Sequence, residues 1–131
     1  MLGAAYDKSG RSAEAIESYK QVIGINPDDE QAYYHLGLVY ERQGKYTEAI
    51  EAYQQAIRIK SDSADTYRMI GMAYFKLKRY AKAVEVYKQA LTINPADARV
   101  HYNLGMTYGI LGRYQEETEA YKQSIRIKPD F

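Results

Sequence analysis

Four glycines, Gly3, Gly37, Gly71 and Gly105, stand 34 residues apart, and Tyr6, Tyr40, Tyr74 and Tyr108 keep the same interval. So do Tyr19, Tyr53, Tyr87 and Tyr121, and the apolar series Ile23, Ile57, Leu91 and Ile125. Pro27, Pro95 and Pro129 form a further column, with Ser61 in the remaining place. A period of this size marks an array in which one small unit is stacked on copies of itself, since no unit can bury its apolar face alone. With Glu30, Ala64 and Ala98 as position 1, residues 30–63, 64–97 and 98–131 are complete repeats, and residues 1–29 are an incomplete one.

Each repeat reads as two helices. Tyr33, Leu36, Gly37 and Tyr40 fall at i, i+3, i+4 and i+7, a helical stripe that Gly44 ends. A second stripe runs through Tyr46, Ala49, Ile50, Tyr53, Ala56 and Ile57. Asp29, Ser63 and Asp97 precede the first helices, where a side-chain oxygen can accept from orphan backbone N–H groups. Gly10, Gly44 and Gly112 suit the left-handed residue after a helix end, and Lys78 stands there in the third unit. Gly37 and Ala49 are small where two helices approach within a unit, and the tyrosine columns are expected to fill gaps between successive pairs. In the last unit Glu117 and Ser124 replace alanine, so either the terminal helix tilts outward or Glu117 reaches solvent.

The pattern Tyr33-x-x-Leu36-Gly37-x-x-Tyr40, with Gly44, Tyr46, Ala49, Tyr53, Ala56 and a terminal proline in sister units, resembles the tetratricopeptide repeat over essentially the whole chain. The resemblance implies an all-α fold: a right-handed superhelical α-solenoid of antiparallel helix pairs, first helices lining the concave face. It further implies that positions 2, 5, 6, 9, 12 and 13 of the first helix commonly face a peptide-binding groove.

Of the 15 tyrosines, 13 occupy four columns that the resembling family uses for packing, leaving Tyr34 and Tyr102, both at position 5. These two converge with methionines and a phenylalanine on the groove positions. The candidate surface comprises Tyr34, His35, Leu38, Arg68, Met69, Met72, Phe75, Arg99, Tyr102, Asn103 and Met106, with Arg42 and Lys76 also at its edge. Apolar patches with polar rims mark binding surfaces, and tyrosine and methionine supply anchoring and adaptable contacts. The competing reading is that these side chains pack between adjacent first helices or against the partner helix. A groove of four first helices about 10 Å apart spans roughly 30 Å. That length suits an extended peptide of about nine residues or an amphipathic helix of about 20. The family's clamp for chaperone tails is missing: its register holds Tyr34, Leu38, Met69, Arg99 and Asn103 instead of the required Lys, Asn, Asn, Lys and Arg.

Other chemistry finds little support. Lys and Arg number 18 against 17 Asp and Glu, a net charge of +1 that gives no drive toward nucleic acid or an anionic membrane. There is no Cys. His35 and His101 lie two units apart without the spacing of metal ligands, and no cofactor is expected. No apolar run is long enough to span a membrane and no secretory leader is legible, so the default compartment is the cytoplasm. The expected partner is a protein or peptide, and no enzymatic activity is expected. Because the chain opens mid-helix and closes on Lys128-Pro129-Asp130-Phe131, it reads as a piece of a longer protein. Two alternatives stay open: homo-oligomerisation through uncapped solenoid ends, and an accessory role beside a catalytic domain elsewhere.

Overall fold

The computed structural model describes residues 11–129; Gly3, Tyr6 and Gly10, with Asp130 and Phe131, lie outside them. Among the described residues there are seven helices and no strand: α1 (Ser12–Ile25), α2 (Glu30–Arg42), α3 (Tyr46–Ile59), α4 (Ala64–Lys76), α5 (Tyr80–Ile93), α6 (Ala98–Ile110) and α7 (Tyr114–Ile127). The fold is an all-α solenoid of helix pairs. It divides between Ser61 and Asp62 into two compact units. In the first, α2 packs on α1 and α3. In the second, α5 packs on α4 and α6, and α7 packs on α6.

Helix ends follow the side chains set at them. Asp29 accepts from the Ala32 N–H at 3.1 Å, Ser63 from the Thr66 N–H at 3.3 Å, and Asp97 from the Arg99 N–H at 3.0 Å. These bonds start α2, α4 and α6 by satisfying donors that have no partner inside the helix. The turns within each pair share one geometry. Gly44, Lys78 and Gly112 have φ of 77°, 63° and 76°. In all three turns the left-handed residue's N–H reaches back to Glu41, Phe75 or Gly109. The next N–H bonds to Tyr40, Tyr74 or Tyr108, each at 2.9 Å. This pair of bonds is the Schellman closure, which glycine enters without a Cβ penalty. Lys78 carries that penalty, so Lys78→Gly is expected to raise stability by about 1 kcal/mol, visible as a higher melting temperature. A lower melting temperature would contradict the turn assignment.

The cores rest on one recurring contact. A Cβ built on Gly37 would lie 2.5 Å from Tyr53 Cε1; on Gly71, 2.5 Å from Tyr87 Cε1; on Gly105, 2.6 Å from Tyr121 Cε1. The tyrosine at position 24 therefore lies flat against the bare backbone of its own unit's first helix. The absent Cβ thus opens a slot inside the pair, a contact that the expectation of a column filling gaps between successive pairs did not include. Tyr53 also donates its hydroxyl to Glu41 at 2.7 Å, which satisfies the polar end of a buried ring. In the second unit Tyr87 belongs to one buried cluster with Ala83 and Val84 of α5 and Val100 and Leu104 of α6.

The last repeat resolves its two departures locally. Ser124 is buried, and its hydroxyl donates to the Ala98 carbonyl at 3.1 Å, so an alanine position accommodates oxygen. Glu117 is half-buried, and its Oε2 would sit 2.6 Å from a Cβ on Gly109. The helix does not swing away, since α7 packs along α6. Glycine at position 12 makes the room that the carboxylate fills.

Candidate functional site

The sequence-selected side chains fall on two faces, one in each unit. In the first unit α2 carries Tyr34, His35 and Leu38, all half-buried. His35 is held from two sides: its Nδ1 lies 2.7 Å from the Gln31 carbonyl, and its ring stacks on Tyr19 with centroids 5.7 Å apart. Tyr34 meets the His35 ring edge-on and leans on Tyr53, each at 5.7 Å. Part of this face is thus packing, and its outer edges stay open to water.

In the second unit, α4 supplies Arg68, Met69, Met72 and Phe75, while α6 supplies Arg99, Tyr102, Asn103 and Met106. The two helices touch directly, which brings both sets onto one surface. Tyr102 is 43% exposed and rests on Tyr121 at 5.6 Å. Asn103 and Met106 are half-buried and Arg99 is exposed. Met69 is buried and supports the face from beneath instead of lining it. Met72 and Phe75 are half-buried and press one side against the core cluster.

Charge on this face is concentrated at one point that the spacing did not single out. Asp65 Oδ1 lies 3.5 Å from Arg68 Nη2 and 3.7 Å from Arg99 Nη2, joining α4 to α6. Arg99 Nε also approaches Asp97 at 3.4 Å. Asp65 and Arg68 sit at i and i+3 of one helix, a spacing at which side chains meet, and that was the signal in the sequence. Beneath them, burial pushes the Tyr87 phenol well above its ordinary range, while the Arg68 charge pulls it the other way.

Among the described residues no group of three or more His, Asp or Glu could hold a metal ion, and no helix is long and apolar enough to cross a membrane. His101, like His35, has a ring nitrogen at a backbone carbonyl, with Nε2 2.9 Å from Pro95 O.

Stacked helix pairs with a mixed apolar and charged face define an α-solenoid of the protein-interaction class. Family models agree with that architecture: one described as tetratricopeptide repeat matches residues 28–96, a TPR repeat model matches 3–44, and a second tetratricopeptide repeat model matches 68–130. The chain belongs to the tetratricopeptide repeat family. No curated protein matches it. Among solved structures, a crystal structure of MamA is 30% identical with a TM-score of 0.88, over 93% of this chain and 71% of that one. A second MamA crystal structure is also 30% identical, with a TM-score of 0.87, over 93% of this chain and 67% of the other. MamA 41-end from Desulfovibrio magneticus RS-1, at 23% identity and a TM-score of 0.85 over 93% and 69%, shares the fold. Proteins of this repeat fold are typically non-enzymatic scaffolds for other proteins, and in that general sense this chain is a protein-interaction scaffold.

Proposed function

We propose that the chain binds a peptide or helix of a partner protein on the face that the first helices α4 and α6 form in the second unit, and that it carries no catalysis of its own. The observation that carries this reading is the surplus of large side chains over what packing uses. Tyr102 keeps 43% of its surface in water although it is aromatic, and Met106 lies half-buried on the same helix. An aromatic anchor beside a flexible thioether fits the usual composition of binding surfaces. The rings of both histidines are already engaged with backbone carbonyls, which supports a structural role for them.

The test compares two double variants against peptides selected on the wild-type chain. Tyr102→Ala with Met106→Ala is expected to weaken those peptides by at least about tenfold, with little change in helicity, as outward truncations usually leave stability nearly intact. Tyr114→Ala with Ile125→Ala removes exposed apolar surface on α7 and is expected to leave the peptides bound. The reverse pattern would move the site to α7. The exposed Ile110, Leu111, Tyr114 and Ile125 also favour a second reading, self-association. A mass that rises with concentration in light scattering, and falls in the α7 variant, would establish it.

A further inference from the structure

Position 5 of the repeat holds tyrosine at Tyr34 and Tyr102 but arginine at Arg68. Both tyrosines lay their rings against the position-24 tyrosine, at 5.7 Å for Tyr34 on Tyr53 and 5.6 Å for Tyr102 on Tyr121. Arg68 sets a cation at that register instead, with a side chain only 14% exposed. Its Nε is buried and has no hydrogen-bond partner. Its Nη1 reaches Met72 Sδ at 3.6 Å, and its Nη2 reaches Asp65 Oδ1 at 3.5 Å. Thioether sulfur is a weak acceptor, and the second contact lies beyond the usual length of a good N–H···O bond. A guanidinium has five N–H donors, and holding it largely out of water without good acceptors is unfavourable. The tyrosine of the sister repeats would avoid that cost, so packing alone does not account for arginine here.

The acceptor it does have is loosely held. Asp65 is 59% exposed and divides its Oδ1 between Arg68 and Arg99 at 3.5 and 3.7 Å. Both contacts are longer than a good N–H···O bond and Asp65 is already mostly in water, so it can leave the two guanidinium groups at small cost. Asp97 is different, because it is buried and caps α6 through the Arg99 N–H. It stays in place and fixes the Arg99 stem, since Arg99 Nε approaches it at 3.4 Å.

We propose that Arg68 and Arg99 form the recognition point for an acidic side chain of the bound peptide, which replaces Asp65 as their acceptor. An adjacent apolar residue of the peptide then rests on Met72, Tyr102 and Met106. The proposal builds on the peptide-binding reading above and names the chemistry of the ligand. A carboxylate can accept two parallel bonds from one guanidinium, which supplies geometry as well as charge. Partial burial of Arg68 reduces screening by salt, so the pairing is stronger than one made on open surface.

A phage-displayed random dodecapeptide library, selected on the whole chain, supplies the probe, and the best binder is then synthesised with its acidic residues intact or as Asn/Gln amides. Asp or Glu next to an apolar residue is the expected consensus, and the amide peptide should bind roughly tenfold more weakly, the size of one charge-assisted pair. Arg68→Tyr restores the residue of the sister repeats, so it should fold while binding acid and amide peptides alike; Arg68→Gln serves if it does not. Asp65→Asn removes the internal competitor and should tighten the acidic peptide severalfold, a gain that a purely structural role for Asp65 would not give. Selected peptides without acidic residues, held equally by wild type and Arg68→Tyr, would overturn the acid-recognition claim and leave the peptide-binding face standing. Failure of the library to yield any binder sensitive to Tyr102→Ala with Met106→Ala would remove both.

Discussion

Gly71→Leu is expected to destabilise the second unit by about 3 kcal/mol or more, at the upper end of what overpacking a core does. A Cβ on Gly71 would meet Tyr87 Cε1 at 2.5 Å and Cδ1 at 2.7 Å, closer than two carbons can approach. The obstructing atoms belong to a ring that is 1% exposed, so it has no free space into which to turn. Val84 and Val100 belong to the same buried cluster. To admit leucine, α4 and α5 must separate, and the core that α6 shares with them opens as well. Domains of this size are held by only about 5–15 kcal/mol, so the loss is a large fraction of the total. Urea titration monitored by helicity gives the measurement, with Gly24→Leu in α1 as control, because nothing lies within 4 Å of a Cβ there. An unchanged midpoint for Gly71→Leu would contradict the contact on which each pair is built.

That contact shows what could be read before any coordinates. The 34-residue columns of glycine and tyrosine announced the repeat, its two helices and its turns, because each column reports a position where backbone geometry tolerates few residue types. The positive φ of Lys78 followed from its place in a glycine column. Which tyrosine fills which gap was not legible, since a column gives register along the chain and not the direction of a side chain. The face of α4 was read only in part for the same reason. Met69 and Met72 stand three residues apart, yet the first is buried and the second half-open, a difference set by how α4 is rotated against α5 and α6. Asp65 escaped notice because its role depends on Arg99, which is 34 residues away in sequence and 3.7 Å away in space. Pairings of that sort arise only once helices are stacked.

The last repeat permits a sharper test, in which the same residue is tolerated at one place and rejected at its sister. Ala83→Glu is expected to cost about 3–5 kcal/mol, the range for leaving an uncompensated charge in a core. Ala83 is fully buried, and Phe75, at position 12 of its repeat, packs against the cluster that contains it. In the last repeat the corresponding residues are Gly109 and Glu117, and the carboxylate Oε2 lies 2.6 Å from where a Cβ on Gly109 would be. Glu117→Ala should therefore change stability by less than about 1 kcal/mol, since it empties a half-open site. Phe75→Gly will itself destabilise, by loss of packing and of helix propensity. Combined with Ala83→Glu it should cost less than the two changes added together, by about 1 kcal/mol or more, because neighbouring sites that share a volume are coupled. The four urea midpoints of that cycle decide the matter. Strict additivity would mean that Gly109 and Glu117 are neighbours by accident and that some other feature of α7 accommodates the charge.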